Sequence, residues 1–80
     1  MVSVKEITDL IVGGINKKDG ELINKAYEFA KRAHEGEKRM SGDPYFTHVF
    51  ETAKILAKFG MDAETIVAGL LHDVLENTKI

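Results

Sequence analysis

Phe50-Glu51-Thr52-Ala53-Lys54-Ile55-Leu56-Ala57-Lys58-Phe59-Gly60-Met61-Asp62-Ala63-Glu64-Thr65-Ile66-Val67 reads as the end of one helix, a break, and the start of another. Before the break, Phe50, Ala53, Ile55, Leu56 and Ala57 recur at helical spacing. Gly60 stands where a C-terminal cap favours glycine, and Asp62 offers a carboxylate as the next N-cap. Met61 before that cap and Ile66 after it have the spacing of a hydrophobic staple. The connection is therefore very short. A third helix over about Thr47 to Phe59 and a fourth from Ala63 to about Asn77 are predicted to pack as an antiparallel hairpin.

Outward from the hairpin, the stretch Gly36 to Pro44 is polar, holds Gly42 and Pro44, and reads as a loop. Upstream of it, Asp19 can cap a second helix whose stripe is Leu22, Ala26, Phe29, Ala30 and Ala33. Ser3-Val4-Lys5-Glu6 has the form of a capping box for a first helix, with Val4, Ile7, Leu10 and Ile11 on one stripe. Gly13-Gly14 ends that helix. Tyr27, Phe29, Phe50 and Phe59 read as core residues, and Tyr45 and Phe46 as anchors of the adjoining loop. No internal repeat, linker or strand-like alternation interrupts this pattern. The expectation is an all-α fold, a four-helix array forming one domain over residues 1–80.

Composition narrows the function classes. The chain has 80 residues, 44% hydrophobic and 30% charged, and a formal charge of −2. Basic residues are scattered among as many acids, so no nucleic-acid footprint is expected. The apolar runs are too short for a membrane span or a signal peptide. Cysteine is absent, which removes disulfides, thiolate chemistry and cysteine-based zinc sites. A cytoplasmic protein that is marginally stable unless it associates is expected, because a chain this short buries only about 60% of its unfolded surface.

Chemistry concentrates on the fourth helix. At about 100° per residue, Asp73, Glu76 and Asn77 fall on the same side as His72, while Val67, Leu70, Leu71, Val74 and Leu75 take the opposite arc. Gly69 lies within the polar arc and is expected to leave room beside Asp73 for a bulky ligand. His48 opens the third helix, so the hairpin can bring it toward His72. Two imidazoles and a carboxylate suit a borderline divalent ion such as Mn²⁺, Fe²⁺ or Zn²⁺, which could activate a water toward phosphorus. Taken alone, a His-Asp dipeptide is common, and a His near a helix end is more often a cap or dipole partner than a ligand.

The stretches Ala26-Tyr27-Glu28-Phe29-Ala30-Lys31-Arg32-Ala33-His34, Lys38-Arg39-Met40-Ser41-Gly42-Asp43-Pro44-Tyr45-Phe46-Thr47-His48 and Ala68-Gly69-Leu70-Leu71-His72-Asp73-Val74-Leu75-Glu76-Asn77-Thr78 occur in that order. Together they resemble the HD hydrolase domain of RelA/SpoT-type alarmone enzymes, over about Leu22 to Thr78. The resemblance implies the N-terminal part of an HD-domain phosphohydrolase that removes the 3′-pyrophosphate of (p)ppGpp with Mn²⁺, giving GDP or GTP and pyrophosphate. It implies His48, His72 and Asp73 as metal ligands and Glu76 as the acid that activates or orients water. Arg39 and Ser41 match the loop that contacts the guanine nucleotide. His34 is expected to pack or support rather than to bind metal.

Four departures qualify the match. Asn77 stands where the family usually has Asp, and an amide can hold a water without accepting its proton. Met40 replaces a Lys of the nucleotide loop, and Val49 replaces the Pro after the first histidine. The family's remaining aspartate ligand lies on a later helix, beyond Ile80, in domains about twice this length. An apolar face left uncovered by those helices would favour a homo-oligomer. Two other functions follow from these departures. One is an HD phosphohydrolase for another nucleotide, and the other is an inactive helical module acting through self-association or partner binding.

Overall fold

A computed structural model describes residues 3–11, 13–72 and 74. Its elements are α1 (Val4–Thr8), α2 (Lys17–Ala33), α3 (Tyr45–Lys58) and α4 (Ala63–Leu71), with no named strand among the described residues. The all-α, four-helix expectation holds. Helix α4 packs against both α2 and α3, and the short α1 contacts the same two helices. A single core collects Ile7 of α1, Ile23, Ala26, Tyr27 and Ala30 of α2, Val49, Phe50, Ala53 and Ala57 of α3, and Ile66 and Leu70 of α4. Four of these are alanines, which let the backbones approach while the larger side chains fill the space between.

The turn between α3 and α4 is built as the sequence implies. Gly60 takes φ +78°, its N–H donates to the Ala57 carbonyl at 3.1 Å, and Met61 N–H donates to the Leu56 carbonyl at 3.1 Å. These are the paired bonds of a Schellman cap, which satisfy carbonyls that the helix end would leave orphaned. Asp62 then accepts from Thr65 N–H at 2.8 Å and caps α4. Met61 of the expected staple is 43% exposed, whereas Ile66 is fully buried.

The helix starts upstream differ from expectation. Asn16, rather than Asp19, caps α2, and its side chain accepts from Asp19 N–H at 2.7 Å. Asp19 thus becomes the third helical residue, where its charge still favours the dipole. Ser3 is the N-cap of α1 without a side-chain cap bond. The capping box is not formed, because the Glu6 carboxylate instead faces Lys54 Nζ of α3 at 3.7 Å. Helix α3 begins at Tyr45, two residues before the expected Thr47, with Pro44 as its N-cap.

The buried face of α2 is also rolled. Leu22 and Phe29 are 42% and 47% exposed, while Ile23 and Tyr27 are buried. Ala26 and Ala30 serve both candidate stripes. The aromatic contacts decide between them: the Tyr27 ring meets Phe46 edge-on at 5.2 Å and Phe50 at 6.3 Å. Phe59, expected in the core, follows the end of α3 and is 71% exposed. The expected features of α4 beyond His72, apart from a buried Val74, lie outside the described residues.

Two outcomes test this packing. The Tyr27 hydroxyl is buried with no hydrogen-bond partner among the described residues. Burial first, then the Glu28 and Glu6 charges, hold its pKa above 10.0. A raised folded-state pKa gives stability that is complete below pH 10 and lost as pH rises through the folded value. Tyr27→Phe keeps the ring and removes the stranded hydroxyl, so it is expected to gain about 1 kcal/mol and to flatten the alkaline loss, measured by thermal melts across pH. Asp62 has the opposite sign, since its side-chain and backbone bonds with Thr65 hold it below 3.8. Its contribution is present above that value and fades as pH falls through the folded one. The melting-temperature gap between the wild type and Asp62→Ala is therefore expected to narrow in acid.

Candidate functional site

His48 lies in the first turn of α3, and His72 is the C-cap of α4. His48 precedes Lys58 by ten residues, and His72 follows Asp62 by ten. At about 1.5 Å per residue, both stand roughly 15 Å along from the turn, at the open end of the hairpin. His48 is half-buried and His72 is exposed. The hairpin thus puts both imidazoles at one level on neighbouring helices.

The donor chemistry of His72 fits a metal. Its Nδ1 lies 2.9 Å from the Gly69 carbonyl oxygen. A carbonyl can only accept, so Nδ1 carries the proton and the ring's lone pair is on Nε2. This is the arrangement in which a backbone acceptor fixes tautomer and orientation for a metal-binding histidine. His48 is braced from the other side, where the Tyr45 ring meets it edge-on at 6.0 Å. Among the described residues, no three His, Cys, Asp or Glu side chains converge on one point. The expected third donor, Asp73, lies outside the described residues, as do Glu76 and Asn77.

Gly69 does something other than clear space for a ligand. A Cβ there would lie 2.5 Å from Leu56 Cδ1, so the missing side chain is filled by α3. The expectation of an open floor beside Asp73 is corrected by this contact, because Gly69 faces α3.

Arg39 and Ser41 lie on the exposed loop between α2 and α3. Lys38 bridges Pro44, Arg39 N–H donates to the Asp43 carbonyl at 2.8 Å, and Gly42 N–H donates to the Arg39 carbonyl at 2.8 Å. Gly42 takes φ +93°, which turns the chain back on itself. Ser41 Oγ donates to Asp43 Oδ2 at 3.2 Å. Lys38, Arg39, Met40, Ser41 and Tyr45 line an open depression of about 500 Å³. Two cations and two hydroxyls in one depression suit a polyanion. Lys38 was not singled out in the sequence, although its place beside Arg39 was the available signal. Met40, where the family pattern has a cation, is fully exposed.

The base of this loop is aromatic. His34 is 2% exposed, donates from Nδ1 to Glu37 Oε1 at 2.7 Å, and stacks on Tyr45 at 4.9 Å with 25° between the planes. Tyr45 N–H donates to the Glu37 carbonyl at 2.9 Å. The packing expectation for His34 and the anchoring expectation for Tyr45 agree with these contacts.

Residues 26–80 match the family described as HD domain, so more than half of the chain is covered and the chain belongs to that family, a metal-dependent one. Within it the chain is similar to RelA/SpoT-type proteins. It is 54% identical over 57 residues to a GTP pyrophosphokinase of Streptomyces coelicolor, covering 71% of this chain and 7% of the relative. It is 55% identical over 58 residues to a probable guanosine-3′,5′-bis(diphosphate) 3′-pyrophosphohydrolase of Mycoplasma genitalium, covering 72% and 8%. Over 62 residues it is 50% identical to the bifunctional (p)ppGpp synthase/hydrolase RelA of Mycobacterium tuberculosis, covering 78% and 8%. The chain therefore spans less than a tenth of the length of these relatives. Among the described residues, no helix is long and apolar enough to cross a membrane.

The contact at Gly69 has a measurable consequence. Gly69→Val is expected to destabilise the chain by about 1–3 kcal/mol through overpacking against Leu56. Adding Leu56→Ala should recover part of that loss in a chemical-denaturation series.

Proposed function

We propose that this chain carries the metal- and nucleotide-binding front of an HD domain that removes the 3′-pyrophosphate of (p)ppGpp, giving GDP or GTP and pyrophosphate. The observation that carries the reading is the level placement of His48 and His72 on one helical hairpin, with His72 holding its lone pair on Nε2. The names of the relatives support it, since they include a 3′-pyrophosphohydrolase and a bifunctional synthase/hydrolase. One is named as a kinase, so hydrolysis rests on the HD motif itself.

In this reading His48, His72 and Asp73 hold a divalent ion, Mn²⁺ by the family resemblance. When bound, such an ion lowers the pKa of a water and offsets charge on a phosphoryl oxygen. Lys38 and Arg39 draw the polyphosphate to the loop, and Ser41 offers a hydroxyl. Glu76 acts as the proton acceptor for the attacking water. Asn77 orients that water without taking its proton. Bringing loop and hairpin together makes positioning the main contribution of the protein.

The test is pyrophosphate release from ppGpp at millimolar Mn²⁺, run beside a His72→Ala/Asp73→Ala variant. Metal-dependent release lost in the variant is the expected outcome. Equal release from both chains would count against the reading. Faster turnover of dNTPs or cyclic dinucleotides would instead assign another nucleotide, as the exposed Met40 allows.

A second reading is a helical module acting through self-association. The exposure of Leu22, Phe29, Ile55 and Phe59 favours it. It predicts a concentration-dependent oligomer by light scattering and a melting temperature that Mn²⁺ does not raise.

A further inference from the structure

His34 belongs to neither the metal-ligand set nor the nucleotide loop, yet its polar ring is 2% exposed. Its ring reaches both ends of the loop at once. Nδ1 donates to the Glu37 carboxylate at the start of the loop, and its face stacks on Tyr45 just after it. The Tyr45 N–H to Glu37 carbonyl bond closes the same neck through the backbone. Beyond Tyr45 the next ring is His48, edge-on at 6.0 Å. Arg39 and Ser41 on one side, and His48 on the other, are thus braced on a single imidazole.

We propose that His34 is a positioning residue that sets the Arg39–Ser41 loop through Glu37 and the His48 ring through Tyr45. The assignment rests on the metal-and-nucleotide reading above. Its Nε2 has no hydrogen-bond partner among the described residues. Replacement by an apolar ring of similar shape therefore strands nothing at that end, and the two contacts can be separated. His34→Phe keeps a ring against Tyr45 and drops the Glu37 bond, whereas His34→Leu drops both.

The experiment uses the 80-residue chain, following its amide and imidazole NMR signals and titrating Mn²⁺ for paramagnetic broadening at His48. In His34→Leu the Mn²⁺ dissociation constant is expected to rise roughly ten- to a hundredfold, the usual effect of losing a group that orients a ligand. The signals of His48, Arg39 and Ser41 should move with it. In His34→Phe the His48 signals and the metal affinity should return toward wild type, while the loop amides stay displaced. Ile23→Ala, a core variant remote from the loop, controls for general loosening. The proposal is overturned if Ile23→Ala weakens Mn²⁺ as much at an equal loss of melting temperature, or if His34→Leu moves neither set of signals. Absence of Mn²⁺ broadening at His48 in the wild type would sink the functional reading alone, because the signal displacements still decide the positioning role. Should His34→Leu fail to fold, Glu37→Ala and Glu37→Gln decide the loop arm. The alanine should displace the Arg39 and Ser41 signals, and the glutamine, which keeps an acceptor for Nδ1, should not. Undisplaced loop signals in Glu37→Ala would overturn that arm.

Discussion

The tight turn between α3 and α4 is the constraint on which the rest depends. Two Schellman bonds at Gly60 and Met61, followed at once by the Asp62 cap, leave no slack between the helices. A connection this short allows only antiparallel neighbours, and it fixes the axial register of one helix against the other. That register is what brings His48 and His72 to one level. A longer loop would let α4 slide or tilt, and a shift of one residue would rotate His72 by about 100° away from its present direction. The ends of the two helices that carry the candidate histidines are therefore set by hydrogen bonds at the opposite end.

The second helix completes the arrangement by packing on α4 and by ending at the right place. Its C-cap is His34, and the chain then turns through Gly36 into the loop that carries Arg39 and Ser41. A loop of exposed polar residues would ordinarily be mobile. Here its neck is closed by a backbone bond, an isolated bridge and a stacked pair of rings, all within the span His34 to Tyr45. Lys38 and Arg39 are thereby held beside the open end of the hairpin, although nothing in the loop itself is buried.

How much of this was legible in the sequence differs by kind of feature. Gly60 and Asp62 were readable because each cap depends on one residue type at one position. Starts were harder, since Asn16 and Asp19 are both good caps. The choice between them depends on where α2 must begin to bury Ile23 and Tyr27. The roll of α2 was not readable for the same reason. Ala26 and Ala30 belong to two overlapping stripes, and only the contacts of Tyr27 with Phe46 and Phe50 distinguish them. The family was legible through three motifs in fixed order, and the roles of the candidate residues on the loop and hairpin are proposals. The contact of Gly69 with Leu56 was not, because a helical wheel locates a residue on a face without saying which neighbour that face meets.

Gly69 shows how far packing and chemistry overlap here. Its absent side chain admits Leu56, and a close approach of that kind is worth the helix propensity that glycine forfeits, about 1 kcal/mol. Its carbonyl lies in the last turn of α4, beside the His72 ring. His72 Nδ1 donates to it at 2.9 Å. One residue thus joins α4 to α3 and also selects the tautomer of the histidine proposed to bind metal. The carbonyl's position follows from the same close packing, so orientation of the ligand is inherited from the core rather than added to it. A larger residue at this position would push α4 outward and carry the acceptor away with it. Loss of packing and loss of ligand orientation are for that reason coupled at Gly69, whereas at His34 the Glu37 bond and the Tyr45 stack can be separated.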